Sequence, residues 1–216
     1  MNSQFIWNME NVLDIYEREY DSSRPVVCFD ERPCQLIGDV LIPLPVEPGK
    51  PMRQDYHYER KGTCVVLLAV EPITGRRIVE VRRQKTKVDY AEFMKKVASE
   101  YRAALKIVLI QDNLNTHNPS SFYETFGAQE AFDLSQRFEM QYTPKKASWL
   151  NMAEIEFSAL SKQCLDRRIG EITVLEKEIA TWARKCNKAK TKITWQFTKD
   201  KARVKFENQY DKLVLN

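Results

Sequence analysis

Two aspartates follow short apolar runs, where a carboxylate can do chemistry. Asp30 follows VVCF, and Asp112 follows IVLIQ. If the two buried strands are neighbours, the carboxylates meet at one sheet edge and repel each other unless a cation lies between them. Because hard oxygen ligands suit Mg²⁺ or Mn²⁺, one interpretation is a divalent-metal site. The alternative is that each aspartate caps a helix or binds backbone N–H groups in a turn.

A third acidic residue is offered by the segment WLNMAEIEFSAL, on a helix that we expect from Ser148 to about Asp166. Glu154 and Glu156 are two residues apart, so they point about 200° apart around a helix. Only one of them can face the sheet edge, and the other should be solvated or in an ion pair. The spacing does not choose between them.

Basic and aromatic residues flank these acids in the sequence. They could hold phosphate groups while an aromatic ring packs on a sugar or base. The alternative is a solubilising surface with Trp149 as a core anchor. His117, five residues after Asp112, could bind a phosphate, support the acids or pack its loop. The flanking residues are Arg76, Arg77, Arg82, Arg83, Lys85 and Lys87 on or after a hairpin, and Lys145, Lys146 and Trp149 before the third acid.

The composition is that of a folded globular protein with an uneven charge distribution. The chain has 216 residues, 43% of them hydrophobic and 30% charged, with a net charge of +4. This length fits one domain or two small ones. From Trp182 to Asn216, ten Lys and Arg residues face three acids, about +7. A basic tail indicates an anionic partner such as nucleic acid, or a solvated helix surface.

Several classes of protein and site are excluded or disfavoured. No apolar run approaches the roughly 18 residues of a membrane span. The chain start has no basic segment followed by an apolar stretch, so we expect a cytoplasmic protein without a signal peptide. The five cysteines form no CxxC pair and there are two histidines, which disfavours a disulfide framework or a structural zinc site. The sequence also lacks GxGxxG, GxxxxGK[ST] and GxSxG motifs.

The elements that must position the acids follow from hydrophobic periodicity. Apolar or alternating runs predict strands, and capping-box spacing predicts helix starts at Thr86/Asp89, Ser121/Glu124 and Thr173/Glu176. A proline-rich loop is expected over 43–52, and ITWQF near the end is strand-like. This order predicts a mixed α/β sheet of about five strands with helices packed against it. The predicted strands are Val26–Asp30, Thr63–Pro72, Arg76–Gln84, Lys106–Asp112 and Phe138–Pro144.

Three motifs in order resemble those of a known family. FDE at 29–31, QDNLNTH at 111–117 and TPKKASWLNMAEIE at 143–156 resemble the catalytic-domain motifs of insertion-sequence transposases of the mariner-like superfamily, in its bacterial branch. The resemblance runs from about Phe5 to the C-terminus. It implies an RNase H-like fold and an acidic DDE triad that binds two divalent ions, Mg²⁺ or Mn²⁺.

The resemblance also assigns roles to individual residues. The triad falls on Asp30, Asp112 and Glu154, since the family's LNxxE pattern matches 150–154 and so selects Glu154 over Glu156. The 41 residues between Asp112 and Glu154 are somewhat more than is typical of mariner elements. Supporting roles near the metals or DNA fall on Asn113, His117 and Asn151, and DNA contacts on Arg82, Arg83, Lys85, Lys145, Lys146 and Trp149.

The implied organisation is a connector helix over 1–25, an RNase H-like catalytic domain over 26–170, and a basic helical extension over 171–216 packed on it. The implied partners are transposon ends and target DNA, bound by a homodimer in the bacterial cytoplasm and nucleoid, with no membrane association. The family's N-terminal helix-turn-helix modules do not fit into the 25 residues before the first predicted strand. One alternative is therefore a catalytically incomplete fragment that acts as a DNA-binding or dimerisation protein. Another, which shares the fold class, is an RNase H-like enzyme that cleaves RNA in hybrids.

Overall fold

The computed structural model describes residues 2–41, 48–49 and 55–214. Most of the loop expected over 43–52 lies outside these residues. The described strands are β1 (Val26–Asp39), β2 (Tyr58–Glu71), β3 (Arg76–Arg82), β4 (Ile107–Gln111) and β5 (Phe138–Tyr142). The described α-helices are α1 (Ser3–Glu17), α2 (Lys87–Glu100), α3 (Ser120–Tyr123), α4 (Ala128–Gln136), α5 (Ala153–Gln163), α6 (Ile172–Ala189), α7 (Lys199–Lys205) and α8 (Glu207–Val214).

The five strands form one mixed sheet in the order β3-β2-β1-β4-β5. The three strands β1 to β3 pair antiparallel, whereas β4 is parallel to both β1 and β5. This is the mixed α/β sheet flanked by helices that the sequence predicts. The antiparallel part is a meander, and the parallel part requires the helical crossovers that separate its strands in the sequence.

Helices cover both faces of the sheet, which explains why its central strands are continuous apolar runs. Side chains alternate along a strand, so Cys28 and Ile110 face α1, α5 and α6, whereas Phe29 and Leu109 face α2 and α3. Strand β4 is buried throughout its length. The core therefore has two layers, and the sheet edge where β4 ends is reached from both.

The first strand is longer than predicted. The prediction ended it at Asp30, but β1 continues to Asp39. Beyond Cys28, β1 no longer pairs with β4 and continues as a hairpin with β2, in which Asp30 is opposite Leu68. The apolar run stops at Asp30 because the two-sided core ends there, not because the strand does. Asp30 thus lies within a strand, at the point where its neighbour β4 stops.

The sequence predicts the presence of the helices better than the residues at which they begin. The Thr86/Asp89 capping box forms at α2, but the one at Ser121 is wrong because Ser121 lies inside α3, which begins at Ser120 without a side-chain cap. The box at Thr173 is also wrong, since α6 begins at Ile172 without a side-chain cap. The helix expected from Ser148 is a single 3-10 turn followed by α5.

The C-terminal region packs on the rest of the chain through α6 and α7. Helix α6 lies against β3 and buries Trp182, and α7 contacts α1 through the ion pair Arg203–Glu10. The strand-like ITWQF is neither strand nor helix; instead Trp195 packs on Tyr16, with ring centroids 5.2 Å apart. None of the described helices is long and apolar enough to cross a membrane.

Candidate active site

The parallel pairing of β1 and β4 brings the first two acids to one edge of the sheet. Cys28 and Ile110 form the last pair of the two strands, and Asp30 and Asp112 each lie two residues further on, close enough for the charge of Asp112 to act on Asp30. Both lie on the sheet face toward α5, where the core is open to solvent. The Asp112 side chain is 36% exposed, and Asp30 is half-buried.

Asn151 ties this edge to the start of α5. Its Nδ2 donates to the carbonyl of Phe29 at 2.8 Å and lies 3.4 Å from Oδ2 of Asp30. Its Oδ1 accepts a hydrogen bond from the backbone N–H of Ala153 at 3.1 Å. A single buried amide therefore fixes the first turn of α5, which carries Glu154, relative to the strand that carries Asp30.

The two glutamates of α5 have opposite environments. Glu154 is exposed in the first turn. Glu156 is buried in a two-contact ion pair with Arg77 of β3, each N···O distance being 2.6 Å. The glutamate that does not face the sheet edge was expected to be solvated or in an ion pair, and Glu156 is in an ion pair, which leaves Glu154 to face the edge. The burial of Arg77 also removes it from the residues that could hold phosphates.

The charges at this edge act on Asp30. Burial, and then the negative charges of Glu154, Asp112 and Glu31, raise the pKa of Asp30 to about 7, against the hydrogen bond from the Glu31 N–H. Carboxylates that repel one another on a half-buried edge are the hard-oxygen donor set that a divalent cation neutralises. Within the described residues, no three His, Cys, Asp or Glu side chains already form a metal-binding cluster. The donor chemistry fits a divalent ion, and the side chains would have to converge on it.

His117 supports Asp112 from the other side of the sheet edge. Its Nδ1 lies 2.5 Å from Oδ1 of Asp112, and its Nε2 lies 2.7 Å from Oε2 of Glu31. The ring is enclosed by Tyr90 and Phe29, with centroids 5.0 and 5.1 Å away. Burial alone would lower the pKa of His117, but the two carboxylates outweigh it and raise the pKa to about 9. His117 is thus a buried imidazolium that holds Asp112.

Glu31 is a site residue that sequence reasoning missed. Its side chain is 3% exposed and faces the α2 side of the sheet. Lys85 Nζ lies 3.6 Å from Oε1 of Glu31, the oxygen that His117 does not contact. The available signal was its place directly after Asp30 in a strand, because alternation puts the two carboxylates on opposite faces. Its partner His117 is distant in sequence, so no local pattern pointed to the pair.

A groove of about 660 Å³ adjoins Asp112. It runs between the start of α1 and the loop after β5, with Asn113 and Leu114 along its wall. Two exposed cations line it, Lys145 and Lys146. The groove gives an anionic chain a path to the acidic edge.

The remaining basic and aromatic candidates are spread around this edge. Trp149 is 43% exposed, and its ring packs edge-on against Phe197 at 5.5 Å. Arg83 and Lys85 are exposed after β3. Arg82 is already paired with Glu80 and Glu92, at 2.7 and 2.6 Å. Of the predicted contacts, Lys145 and Lys146 are therefore the ones beside Asp112, and Arg82 is the least available for phosphate.

A protein-family model described as "DDE superfamily endonuclease" matches residues 25–176, well over half of the chain. The chain belongs to this family. As a DDE endonuclease domain it contains all three candidate acids within the matched region. No curated protein matches the chain.

Solved structures with the same fold include complexes of the Mos1 transposase. The paired-end complex with the left transposon end matches with a TM-score of 0.55 and 14% identity, covering 89% of this chain and 64% of that chain. The strand transfer complex gives 0.56 and 13%, covering 89% and 63%. The paired-end complex with Mn gives 0.53 and 15%, covering 89% and 64%. The DDE endonuclease domain thus has the Mos1 fold and spans less than two thirds of each Mos1 chain.

Proposed function

We propose that this DDE endonuclease domain is the catalytic domain of an insertion-sequence DNA transposase of the bacterial mariner-like branch. It would hydrolyse phosphodiester bonds at transposon ends and join them to target DNA. The observation that carries the proposal is the proximity of Asp30, Asp112 and Glu154 at one edge of the sheet, where burial and then the charges of Glu154 and Asp112 raise the pKa of Asp30. The Mos1 structures of the same fold include a paired-end complex with the left transposon end and a strand transfer complex.

Asp30, Asp112 and Glu154 are the residues that would hold two divalent ions, Mg²⁺ or Mn²⁺. Such ions supply activation of a water or a DNA 3′-hydroxyl and stabilisation of the leaving oxygen in an in-line attack at phosphorus. Matching Mos1 complexes contain Mn or Mg. The chain's own contribution is to hold the carboxylates close together and correctly oriented.

Two supporting residues carry out that orientation. Asn151 donates toward Asp30 and fixes the helix that carries Glu154. His117 holds a proton at Nδ1 against Oδ1 of Asp112. This leaves Oδ2 of Asp112 available to bind a metal ion. Asn113, at the wall of the groove, would contact the DNA strand that enters it.

DNA would approach along the groove beside Asp112. Lys145 and Lys146 would bind backbone phosphates, and the exposed face of Trp149 would pack on a sugar or base. Arg83 and Lys85, with Arg82 behind them, would extend the contact on the far side of the edge. The division into a connector over 1–25, a catalytic domain over 26–170 and a basic extension over 171–216 belongs to this proposal, as do homodimerisation on DNA and a location in the bacterial nucleoid.

A second function is favoured by one observation: the described acids do not form a preassembled metal cluster. On this alternative the chain is a catalytically incomplete fragment that binds DNA or dimerises. It would bind DNA in a salt-dependent way and cleave it with neither Mg²⁺ nor Mn²⁺.

The test is cleavage of an end-labelled DNA duplex with Mn²⁺ by the wild-type chain, by Asp112→Asn and by Asp133→Asn. Asp133 is an exposed residue of α4, so its variant controls for the loss of a charge. We expect Asp112→Asn to abolish cleavage with unchanged circular dichroism, and Asp133→Asn to cleave normally. Normal cleavage by Asp112→Asn would contradict the proposal. Salt-dependent binding without cleavage would favour the fragment, and cleavage of only an RNA–DNA hybrid would favour an RNase H-like enzyme.

A further inference from the structure

The ion pair between Arg77 of β3 and Glu156 of α5 is almost completely buried. The two side chains are 1% and 4% exposed. Nε and Nη2 of Arg77 each lie 2.6 Å from a different oxygen of Glu156. Two parallel contacts of this kind fix the relative orientation of the two planar groups as well as their distance. A buried ion pair is weak evidence that the pair stabilises the fold. The role of this pair is therefore sought in its geometry.

Arg77 also donates hydrogen bonds to backbone carbonyls of the turn before β3 and of the segment after α6. Its Nη1 donates to the carbonyl of Gly75 at 2.6 Å, and its Nη2 donates to the carbonyl of Thr191 at 2.9 Å. Asn187 of α6 brackets the Arg77 backbone, accepting from its N–H at 2.8 Å and donating to its carbonyl at 2.9 Å. One guanidinium thereby joins β3, α5 and the segment that follows α6.

The close approach of these segments is built into the β2–β3 turn. Gly75 has a φ of +72°, and a Cβ at that position would lie 2.4 Å from the carbonyl oxygen of Thr191. The backbone N–H of Ile193 donates to the carbonyl of Pro72 at 3.0 Å. The segment after α6 therefore packs against the β2–β3 turn and contacts Arg77.

Glu156 and Glu154 share one helix and point in nearly opposite directions. Since they are two residues apart, about 200° separates them around α5. Holding Glu156 by a fork from β3 therefore fixes the rotation of α5 about its axis, and with it the direction of Glu154. Asn151 fixes the same helix at its start, so the two anchors together determine both the position and the rotation of the first turn.

We propose that Arg77 is a positioning residue for Glu154, acting through Glu156, and that it couples the segment after α6 to the acidic edge. The inference rests on the proposed function of that edge. Because the Arg77 side chain is buried, it would contact neither DNA nor the reacting atoms. It sets the direction from which Glu154 reaches them.

The test compares Arg77→Lys, which keeps the charge but loses the fork, with Arg167→Gln as a control. Arg167 pairs with Glu178 at the surface between α5 and α6, so its variant breaks an exposed ion pair in the same region. Hydrogen exchange of 153–163 is measured without metal, and kcat, KM for DNA and the Mn²⁺ dissociation constant are measured with it. For Arg77→Lys we expect at least tenfold faster exchange in α5, a tenfold lower kcat, a tenfold weaker Mn²⁺ affinity and a KM within twofold of the wild type.

Unchanged exchange, kcat and Mn²⁺ affinity in Arg77→Lys would overturn the proposal. A double variant, Arg77→Met with Glu156→Leu, separates orientation from folding, since it replaces the pair by apolar groups of similar size. We expect it to fold with a kcat that stays low, and recovery of wild-type kcat together with wild-type stability would show that the pair serves folding alone. Failure of the proposed function is distinguishable, because the wild type would then not cleave DNA, or Asp112→Asn would cleave it like the wild type, whereas hydrogen exchange in α5 reports on the Arg77 contact independently of cleavage.

Discussion

The imidazole of His117 lies with Nδ1 2.5 Å from Oδ1 of Asp112. The contact links a carboxylate at the open edge of the sheet to a ring buried on the opposite side of β1. Because Glu31 occupies the other ring nitrogen, the imidazolium is neutralised within the core, and its orientation is fixed before any ligand binds. The acidic edge is therefore supported from both faces of the sheet.

Because the pKa of His117 is raised in the folded state, part of the folding stability should be lost at alkaline pH. Its pKa rises from the ordinary 6.5 to about 9 on folding. A histidine whose pKa is raised stabilises the fold fully below pH 6.5, and this contribution is lost as the pH rises through 9. It is on the order of 3 kcal/mol. Urea unfolding should show a loss of stability from pH 6.5 to 9.5 that is absent in His117→Asn with Glu31→Gln. An equal loss in that double variant would contradict the assignment.

Asp30 should destabilise the metal-free fold at neutral pH. Its pKa is raised from 3.8 to about 7, so its contribution to stability is present below pH 3.8 and is lost as the pH rises through 7. In chelator at pH 8, Asp30→Asn should therefore melt several degrees higher than the wild type. The difference should vanish near pH 4. A melting temperature lower than that of the wild type at pH 8 would be the opposite of this prediction.

The two glutamates of α5 should respond differently to the same substitution. Glu154→Gln should keep wild-type stability and lose DNA cleavage, because Glu154 is exposed and has no structural partner among the described residues. Glu156→Gln should lower the free energy of unfolding by about 3–5 kcal/mol, because it leaves the buried Arg77 charge unpaired. Urea unfolding and cleavage assays on both variants check this. The reverse assignment of effects would exclude Glu154 from the triad.

Lys145 and Lys146 should contribute to DNA affinity through phosphate contacts. The double substitution to Ala should weaken DNA binding and reduce the slope of log K against log salt by about 2, about 1 for each lost contact. Lys95 and Lys106 give a matched control, since Lys95 lies on α2 and Lys106 precedes β4, at the end of that strand away from Asp112. An equal change in the slope for both pairs would mean that net charge, and not the groove, binds the DNA.

The pairing of the first two acids could be predicted because apolar runs mark strands that are buried on both faces. Asp30 and Asp112 follow such runs, and the parallel pairing of β1 with β4 brings them to the same end of the sheet. The sheet and most of its helices followed from the same periodicity. The choice of Glu154 came from the resemblance of the motif around Asn151, and the exposure of Glu154 agrees with it.

What could not be predicted depends on contacts between distant parts of the chain. Arg77 reads as a surface residue of a hairpin, yet its partner Glu156 is 79 residues away and both are buried. The role of Glu31 depends on a histidine from another loop. The end of β1 was missed because the hairpin with β2 extends past the core, where the apolar pattern that identifies a strand is lost.

The most direct test of a metal-binding acidic edge is calorimetric titration of Mn²⁺ into the wild-type chain and into Asp112→Asn, with circular dichroism to show that both are folded. Asp133→Asn is the control for the loss of one carboxylate. We expect saturable binding by the wild type and the control, and its loss in Asp112→Asn. Equal binding by Asp112→Asn, or no binding by the folded wild-type chain, would contradict this expectation.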